Sequence, residues 1–466
     1  MHARRLTSLS ALVLLLGGCG RKDAALDRPE LRPPIPVEEL RFSDAGTHLA
    51  GADWWSGFES AELSALVEQG LSDNLSVQAA FSRLEAAQAQ VVQARAPLFP
   101  TVTGSAGGSQ SPGGTPSLSA GVGVAYELDL WGRIRAETRV ADHERQSTEA
   151  DAQAAALSLS GEIARTWVSI AATRAQLSLL QEQQQANAGM TRIVRARFHN
   201  GVAREADALR QERLEVGTAE QSIAQQEALE LLEHQLAVLL GRSPTEPPAV
   251  EIQALPALPP LPDAGIPVEL IRRRPDVLSA EQALLAADAQ VAVAITEQFP
   301  RLSFSLDLGS VGSTPEDLLT GWLTSLGVSL VAPILEGRSR RAEVHRSRAE
   351  LDAAIADYGQ ALLVALQEVE DALAQDRLQA QRVENLTQQV LLAERTAEGL
   401  QAQYTGGLDV SYLDVLTGQT TAQQLRRDLI DARERQLLLR IQLYLALAGP
   451  VPREAARTPD SQEVGR

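Results

Sequence analysis

The side chains able to do covalent, metal or acid–base chemistry are few and poorly spaced for it. The six histidines, His2, His48, His143, His199, His234 and His345, are scattered, with none at metal-ligand separations. Cys19 is the single cysteine in 466 residues, so it has no partner for an internal disulfide or a zinc site. No Gly-rich loop follows a strand to cradle a phosphate, and "GTPSLSAG" at 114–121 lacks the pattern of a nucleophile elbow. A net charge of −18 argues against nucleic acid as a partner. The residue types give no reason to expect an enzyme, a cofactor or a bound metal.

Cys19 has a different context. It follows Arg4 and Arg5, the short apolar run Ala11 to Leu16, and Gly17-Gly18. Leu-Gly-Gly-Cys matches a lipobox, in which the thiol receives diacylglycerol and the new N-terminus an acyl chain. The apolar run is too short to span a bilayer, so residues 1–18 are expected to be a removed signal peptide. A chance cysteine behind an ordinary signal peptide is the plain alternative. Gly20 is not the Asp of an inner-membrane retention signal, which favours the outer membrane.

The chain is duplicated. Between residues 77 and 100, eleven of 24 positions match those 200 further on, and both copies end in Phe-Pro. Proline stops a helix and forces the residue before it into extended geometry. Alternation follows. In 118–130, Leu118, Ala120, Val122, Val124, Tyr126, Leu128 and Leu130 share one parity, with Glu127 and Asp129 among the small and polar residues of the other. Leu326, Val328, Leu330, Ala332 and Ile334 repeat the apolar parity, and Leu302, Phe304, Leu306 and Leu308 oppose Ser303, Ser305 and Asp307. The segment from Thr101 carries only a weak signal. Four strands in two hairpins result, with loops near 107–116 and 310–321. Their length suits a bilayer, with lipid on the greasy side and water on the other. Four strands cannot close a barrel, and hydrocarbon tolerates no open edge, so several chains must share one. A four-stranded soluble sheet is the alternative.

Behind each strand pair runs a long proline-free stretch, about 134–197 and 338–403, rich in alanine. As helices these would be about 95–100 Å long. "RFHNG" at 197–201 and "YTGG" at 404–407 end them, and shorter helices return over about 204–241 and 412–447. A helix over about 66–97 plus the returning helix adds up to one long helix, so two short helices would line one long one. The junction would be a belt built from 242–267, which holds eight of the 23 prolines, with 31–60 and 448–466. The division is then 1–18 signal peptide, 19–52 lipid-anchored linker, 53–250 first repeat with its β-hairpin at about 101–131, 251–450 second repeat with its β-hairpin at about 301–335, and 451–466 tail.

Several segments together resemble one family. They are "DWWSGFESAELSALVEQGLSDN" (53–74), "ELIRRRPDVLSAEQALLAADAQVAVAITEQFPRLSFS" (269–305), "YELDLWGRIRA" (126–136), "APILEGRSRRA" (332–342), "LLGRSP" (239–244) and "LALAGP" (445–450). They are similar to outer-membrane efflux factors, the TolC-like channels, in their lipoprotein (NodT-type) branch. The resemblance covers nearly all of residues 19–466. It implies a mainly α fold with a membrane β-barrel. A homotrimer would make a 12-stranded outer-membrane barrel and a 12-helix periplasmic tunnel. It further implies a passive exit duct working with a periplasmic adaptor and an inner-membrane transporter of the resistance–nodulation–division class. A type I secretion duct, a periplasmic adaptor and a structural coiled-coil lipoprotein are the alternatives. An adaptor would need a lipoyl-like β domain and would lack the strand hairpins.

By the same resemblance the tunnel closes at its periplasmic tip. Gate candidates are Tyr412, Leu413, Asp414, Thr417, Arg192 and Arg195, with Arg197, Glu205, Asp207 and Asp409 nearby. Leu413 would form an apolar ring, and Arg192 or Arg195 would pair with a second-hairpin acid. The sequence departs from the pattern at Thr417, often Asp in relatives, and by one extra residue between Gly407 and Tyr412. That leaves either Asp414 in the acidic role or a weaker ring. The tip charges also fit ordinary solvated helix ends. Gly201 and Gly407 mark the adaptor-docking tips, and Glu127, Asp129 and Asp307 would make the pore lining acidic. Trp131 suits an aromatic belt or the packing of a strand-to-helix bend. The cargo is not legible.

Overall fold

The computed structural model describes residues 48–49, 53–263 and 272–450. Cys19, the signal peptide, nearly all of the 19–52 linker and the 451–466 tail lie outside the described residues. After a 3-10 turn at Trp54–Phe58 come α1 (Ala61–Asp73) and α2 (Leu75–Arg95). The first hairpin is β1 (Thr101–Ser109) and β2 (Ser117–Leu128). Helix α3 (Arg133–His199) descends and α4 (Glu205–Leu239) returns. The second half repeats this with α5 (Pro275–Thr296), β3 (Arg301–Gly312), β4 (Leu323–Val331), α6 (Ser339–Thr405) and α7 (Tyr412–Leu447). Both long helices have 67 residues, about 100 Å at 1.5 Å each.

The strands form one antiparallel sheet in the order β1-β2-β3-β4, with β2 and β3 joining the two halves. The pairing stacks Val102, Val124, Leu306 and Leu326 across one face, and Tyr126, Phe304 and Val328 in the next row. The opposite face is Thr103, Gly123, Asp307 and Ser325, then Ala125, Ser305 and Gly327. The greasy face is uncovered: Leu326 is 76% exposed and Leu330 66%. The segment from Thr101 pairs along its whole length. Its Thr, Gly, Ser and Ala residues hid it from alternation, but the ladder to β2 needs only backbone groups. Strands run farther into the loops than the pattern gave, to Ser109 and Gly312. They stop earlier at the helix side, leaving Leu130, Ala332 and Ile334 outside them.

The helix expected over 66–97 is two helices. Asn74 breaks it: its Oδ1 accepts from Ser76 N and Val77 N (2.9 and 3.1 Å), and its Nδ2 donates to Leu239 O (3.0 Å) at the end of α4. Thus α1 and α2 sit end to end with α4. Gly241 makes the meeting possible. Its φ is +70°, and a Cβ there would lie 2.4 Å from Asp73 O. Against α3 pack α2 and α5 in the upper half and α4 and α7 in the lower, while α6 packs on α5 and α7. The elements therefore lie side by side as a wall. One flank is β1, α2 and α4; the other is β4 and α6.

The main core sits at the belt. Trp54, Trp55 and Phe58 pack with Leu63, Val67, Ile163, Trp167, Leu236 and Ile441. Trp54 Nε1 donates to Ser160 Oγ (3.1 Å) and Trp167 Nε1 to Glu62 Oε2 (2.8 Å), so these two indoles are satisfied. Arginines clamp the Pro-rich segment. Arg174 donates to Val250 O and Ile252 O (2.6 and 2.9 Å) and meets Glu233 (3.0 Å). Arg440, paired with Asp376 at 2.9 Å, also reaches Pro259 O. By length and composition α5 resembles a membrane-crossing helix, but it lies between α3 and α6 in the wall.

Candidate functional site

Both hairpin turns lie at the same end of the molecule. Gly201 (φ +74°) turns α3 into α4, and Gly407 (φ +80°) turns α6 into α7. Ser411 Oγ accepts from Leu413 N (3.2 Å) and starts α7. Between the turns Met190, Val194, Ala208, Tyr404, Tyr412 and Val415 form a small core. The Tyr404 and Tyr412 rings are 5.6 Å apart, and the Arg197 guanidinium lies 4.3 Å over Tyr404 while donating to its carbonyl (3.2 Å).

Tyr412, one of the gate candidates, thus ties the two hairpins together. It is 4% exposed and its hydroxyl donates to Gln211 Oε1. Burial, then Tyr404 and Asp207, push its pKa up, so it remains a donor. The expected pairing of Arg195 with a second-hairpin acid is corrected. Arg195 meets Glu212 at 2.7 Å, inside its own hairpin, because α4 returns antiparallel beside it. Their hydrogen bond raises the Arg195 pKa and lowers that of Glu212. Arg426 of α7 makes an ion pair across hairpins, with Glu182 of α3 (3.0 Å), and a second within its own hairpin, with Glu394 of α6 (3.4 Å). Arg192 lies two turns above the loop on α3 and is exposed.

Leu413, Asp414 and Thr417 occupy the other side of α7. All three are exposed, and they line a concavity with Thr396 and Leu400 of α6. Thr417 Oγ1 donates to Leu413 O (2.8 Å), so its hydroxyl is spent on its own helix. Asp414 is the carboxylate of this surface. Asp207, by contrast, is buried between Arg204 (3.3 Å) and Arg210 (3.1 Å).

A polar hub above the tips was not legible in the sequence. Asn187 Nδ2 donates to Thr218 Oγ1 (2.8 Å), and its Oδ1 accepts from Gln419 and Gln423 (2.7 and 2.9 Å). Three helices, α3, α4 and α7, meet on one fully buried amide. Alanine-rich seams with isolated Asn and Gln are the available signal, and they do not say which amide pairs with which.

At the opposite end the expected pore acids divide. Asp307 stays on the polar sheet face. Glu127 is on that face too, but bonds Arg133 at 2.8 Å. Asp129 is corrected. β2 ends before it, and its carboxylate accepts from Ile134 N (3.2 Å), Arg135 N (3.1 Å) and Arg135 Nε (3.0 Å). It caps α3 instead of lining a pore. Burial raises its pKa, but the bonds from Arg135 and Ile134 outweigh that and hold it low. Trp131 packs the bend: it stacks on Phe299 at 4.9 Å and its Nε1 donates to Pro300 O (2.7 Å). One copy of the repeated Phe-Pro is thereby explained.

The segment Arg273–Val277 is a clasp. Arg274, nearly buried, bonds Asp276 (2.7 Å), Glu368 on α6 (2.5 Å) and Ala446 O on α7 (3.3 Å), with Pro275 opening α5. Burial alone would lower its pKa; the two carboxylates raise it.

A sheet greasy on one face and polar on the other, set on helices about 100 Å long, fits a membrane-inserted sheet with a long helical extension. Comparison with known proteins agrees. The outer membrane efflux protein family matches residues 66–242 and 266–449. The pyoverdine export outer membrane protein OpmQ of Pseudomonas aeruginosa is 30% identical over 469 residues, covering 96% of this chain and 97% of that one. Nodulation protein T of Rhizobium leguminosarum bv. viciae is 30% identical, over 96% and 94%. Among solved structures the outer-membrane channel OprN superposes with a TM-score of 0.81 at 28% identity, over 91% of this chain and 99% of that one. The chain belongs to the outer membrane efflux protein family. It is an outer-membrane efflux channel component.

Proposed function

We propose that three copies close into one barrel and one tunnel, forming the passive exit duct of a tripartite efflux pump. The observation that carries this is the wall with two unfinished flanks. Strand edges β1 and β4 lie at the two ends of the sheet, and below them α2 and α4 flank one side and α6 the other. Hydrocarbon forbids open strand edges. The flanks also bear matching apolar residues. Leu209, Val216 and Ile223 recur every seven residues on the outer side of α4, with Leu231 and Val238 beyond, all exposed. On α6, Val364, Leu378 and Leu392 recur every fourteen. Arg195 pairs with Glu212 and Arg197 meets Tyr404. Counting from these heights, Ile223 stands level with about residue 391 and Val238 with about residue 376. A ring without rise along its axis brings equal heights together.

In this reading Cys19 carries the lipid anchor, and the tips around Gly201 and Gly407 meet a periplasmic adaptor that hands over cargo from an inner-membrane transporter of the resistance–nodulation–division class. Cargo is a small molecule, as the pyoverdine, antibiotic and toluene named for the relatives suggest. Leu413 and Asp414 converge on the axis and narrow the closed tip, with three carboxylates favouring cations. Asp307 biases the barrel lining the same way, while the charge of Glu127 is met by Arg133.

Reconstitution into planar bilayers tests this. The protein should give discrete, cation-favouring conductance steps, and Asp414→Lys should raise the resting conductance several-fold. Unchanged conductance in that variant rejects the gate assignment; no steps at all rejects the duct.

A further inference from the structure

The two strand-to-helix turns are copies of each other that handle charge differently. They correspond residue by residue: α3 follows left-handed Gly132 and α6 follows left-handed Arg338, and Ala136 N bonds Gly132 O as Ala342 N bonds Arg338 O. Arg135 therefore stands where Arg341 stands. In the first half Arg135 is spent on a carboxylate of its own turn, Asp129, at 3.0 Å. In the second half Leu335, 92% exposed, takes the place of Asp129. Arg341 is exposed and pairs with no acid among the described residues.

Arg341 is one of a stripe. Arg338, Arg341, His345 and Arg348 follow at spacings of three, four and three, so they share one face over about 15 Å at the start of α6. All four are exposed. The acids around them are engaged elsewhere: Glu343 and Glu350 both hold Arg346 on another face, and Glu336 holds Arg340. Asp352 ends the stripe one turn below Arg348. The first half has Gly132, Arg135, Arg139 and Asp142 at the four positions, so the uninterrupted stripe belongs to the second half alone. Val364, the nearest residue of the row proposed to meet the next copy, lies about a third of a turn round the helix from it. The stripe sits where the sheet ends, directly after β4 stops at Val331. Side chains on a helix lean toward its N-terminus, which here is the sheet end. Arg338 and Arg341 also line a hollow with Ile334 and Leu335, 94% and 92% exposed. Unpaired cations beside bare aliphatic side chains, in a chain of net charge −18, are a surface for an amphiphile with an anionic head.

We propose that the start of α6 binds the headgroup of an anionic phospholipid from the periplasmic leaflet of the outer membrane. Arg338 and Arg341 take the phosphate, which a guanidinium fork matches with two parallel bonds. The lipid thus supplies from outside the anion that Asp129 supplies from within in the first half. His345 and Arg348 extend the positive field away from the bilayer, and the acyl chains run past Ile334 and Leu335 toward the greasy face of the sheet. Charge complementarity calls for an anion, and continuity with that face selects a lipid over a soluble one, which would leave the aliphatic side of the hollow bare. The site rests on the reading of the sheet as membrane-inserted and gives that sheet a lipid preference.

The test is native mass spectrometry of the full-length protein, extracted in mild detergent and offered equal amounts of phosphatidylglycerol and phosphatidylcholine of one chain length. The parent should retain phosphatidylglycerol in preference. Arg341→Gln combined with Arg348→Gln should lower that retention at least about tenfold. Leu335→Asp, which restores a carboxylate at the place of Asp129 and removes no cation, should lower it as well. Arg346→Gln removes one charge from another face and should change it little, and Arg341→Lys with Arg348→Lys should keep most of it. Inorganic phosphate at the lipid's concentration should not displace the lipid; displacement makes the ligand a soluble anion and overturns the proposal. Equal retention of the two lipids by the parent, or equal losses in Arg346→Gln and in the stripe variants, overturns the site while leaving a membrane-inserted protein standing. Protein that alkaline carbonate washes from membranes overturns the membrane reading itself.

Discussion

The most exposed bets at the scale of single residues concern charges in the belt and in the helical wall. Arg440 and Asp376 are 6% and 9% exposed and meet at 2.9 Å. Removing one partner strands the other in a dry site, so Arg440→Met should cost about 3–5 kcal/mol, and the double change Arg440→Met with Asp376→Leu much less. Denaturant unfolding in detergent measures both, and equal losses would mean the pair is not an energetic unit. Glu434 gives a pH signature. Burial raises its pKa, Ser169 Oγ–H (2.6 Å) opposes this, and Asp431 adds to it, with Gln176 bonded to Asp431 and Arg427 close by. A raised carboxyl pKa means the folded chain holds this proton more tightly than the unfolded one. Its stabilising contribution is complete below the unfolded value of about 4.3 and is lost as pH rises through the folded value. Glu434→Gln should therefore leave the melting temperature near pH 4 little changed and raise it as pH climbs above the unfolded value, up to a plateau beyond the folded one. A variant less stable across that range contradicts this. Neither group stood out in the sequence, because an Arg or Glu in a charged helix looks alike whether it faces solvent or a partner. Asp129 shows the same limit: alternation put it on the wet strand face, and the helix start behind Gly132 claimed it as a cap.

Among the elements, the long helices and turns were legible because Pro, Asn-Gly and Gly-Gly punctuate long alanine-rich runs. β2 was legible because period two held over thirteen residues. β1 was not, since Gly, Ser and Thr on both faces leave no parity to see, and only its partner reveals it. The break at Asn74 was missed for a related reason. Asn is tolerated within a helix, and its role as a cap depends on Leu239 O arriving from 165 residues away. The meeting of α1, α2 and α4 makes its own prediction. Gly241→Ala forces a side chain into left-handed backbone against Asp73 O, which should cost about 1–3 kcal/mol and lower the thermal midpoint. Gly217→Ala, an open helical position, serves as the comparison and should be neutral or slightly stabilising. Equal effects at the two sites would mean that the end-to-end stacking is not tight.

For the whole molecule, the duplication accounts for architecture and incompleteness together. Each half supplies a hairpin of strands and a hairpin of helices, and the chain contains one half-to-half junction for two half-to-half surfaces. On the proposed reading the surplus surface is a demand for another copy, visible as greasy rows on β4, α4 and α6. Strand count and barrel size made that demand readable before any coordinates, while the flanks that meet became identifiable only with the order of elements. The number of copies per particle tests the central claim most directly. Native mass spectrometry or sedimentation equilibrium of detergent-extracted protein should find three chains per particle and no stable single chain. A monodisperse single chain, with the β1 and β4 edges protected from hydrogen exchange by its own residues, would contradict it.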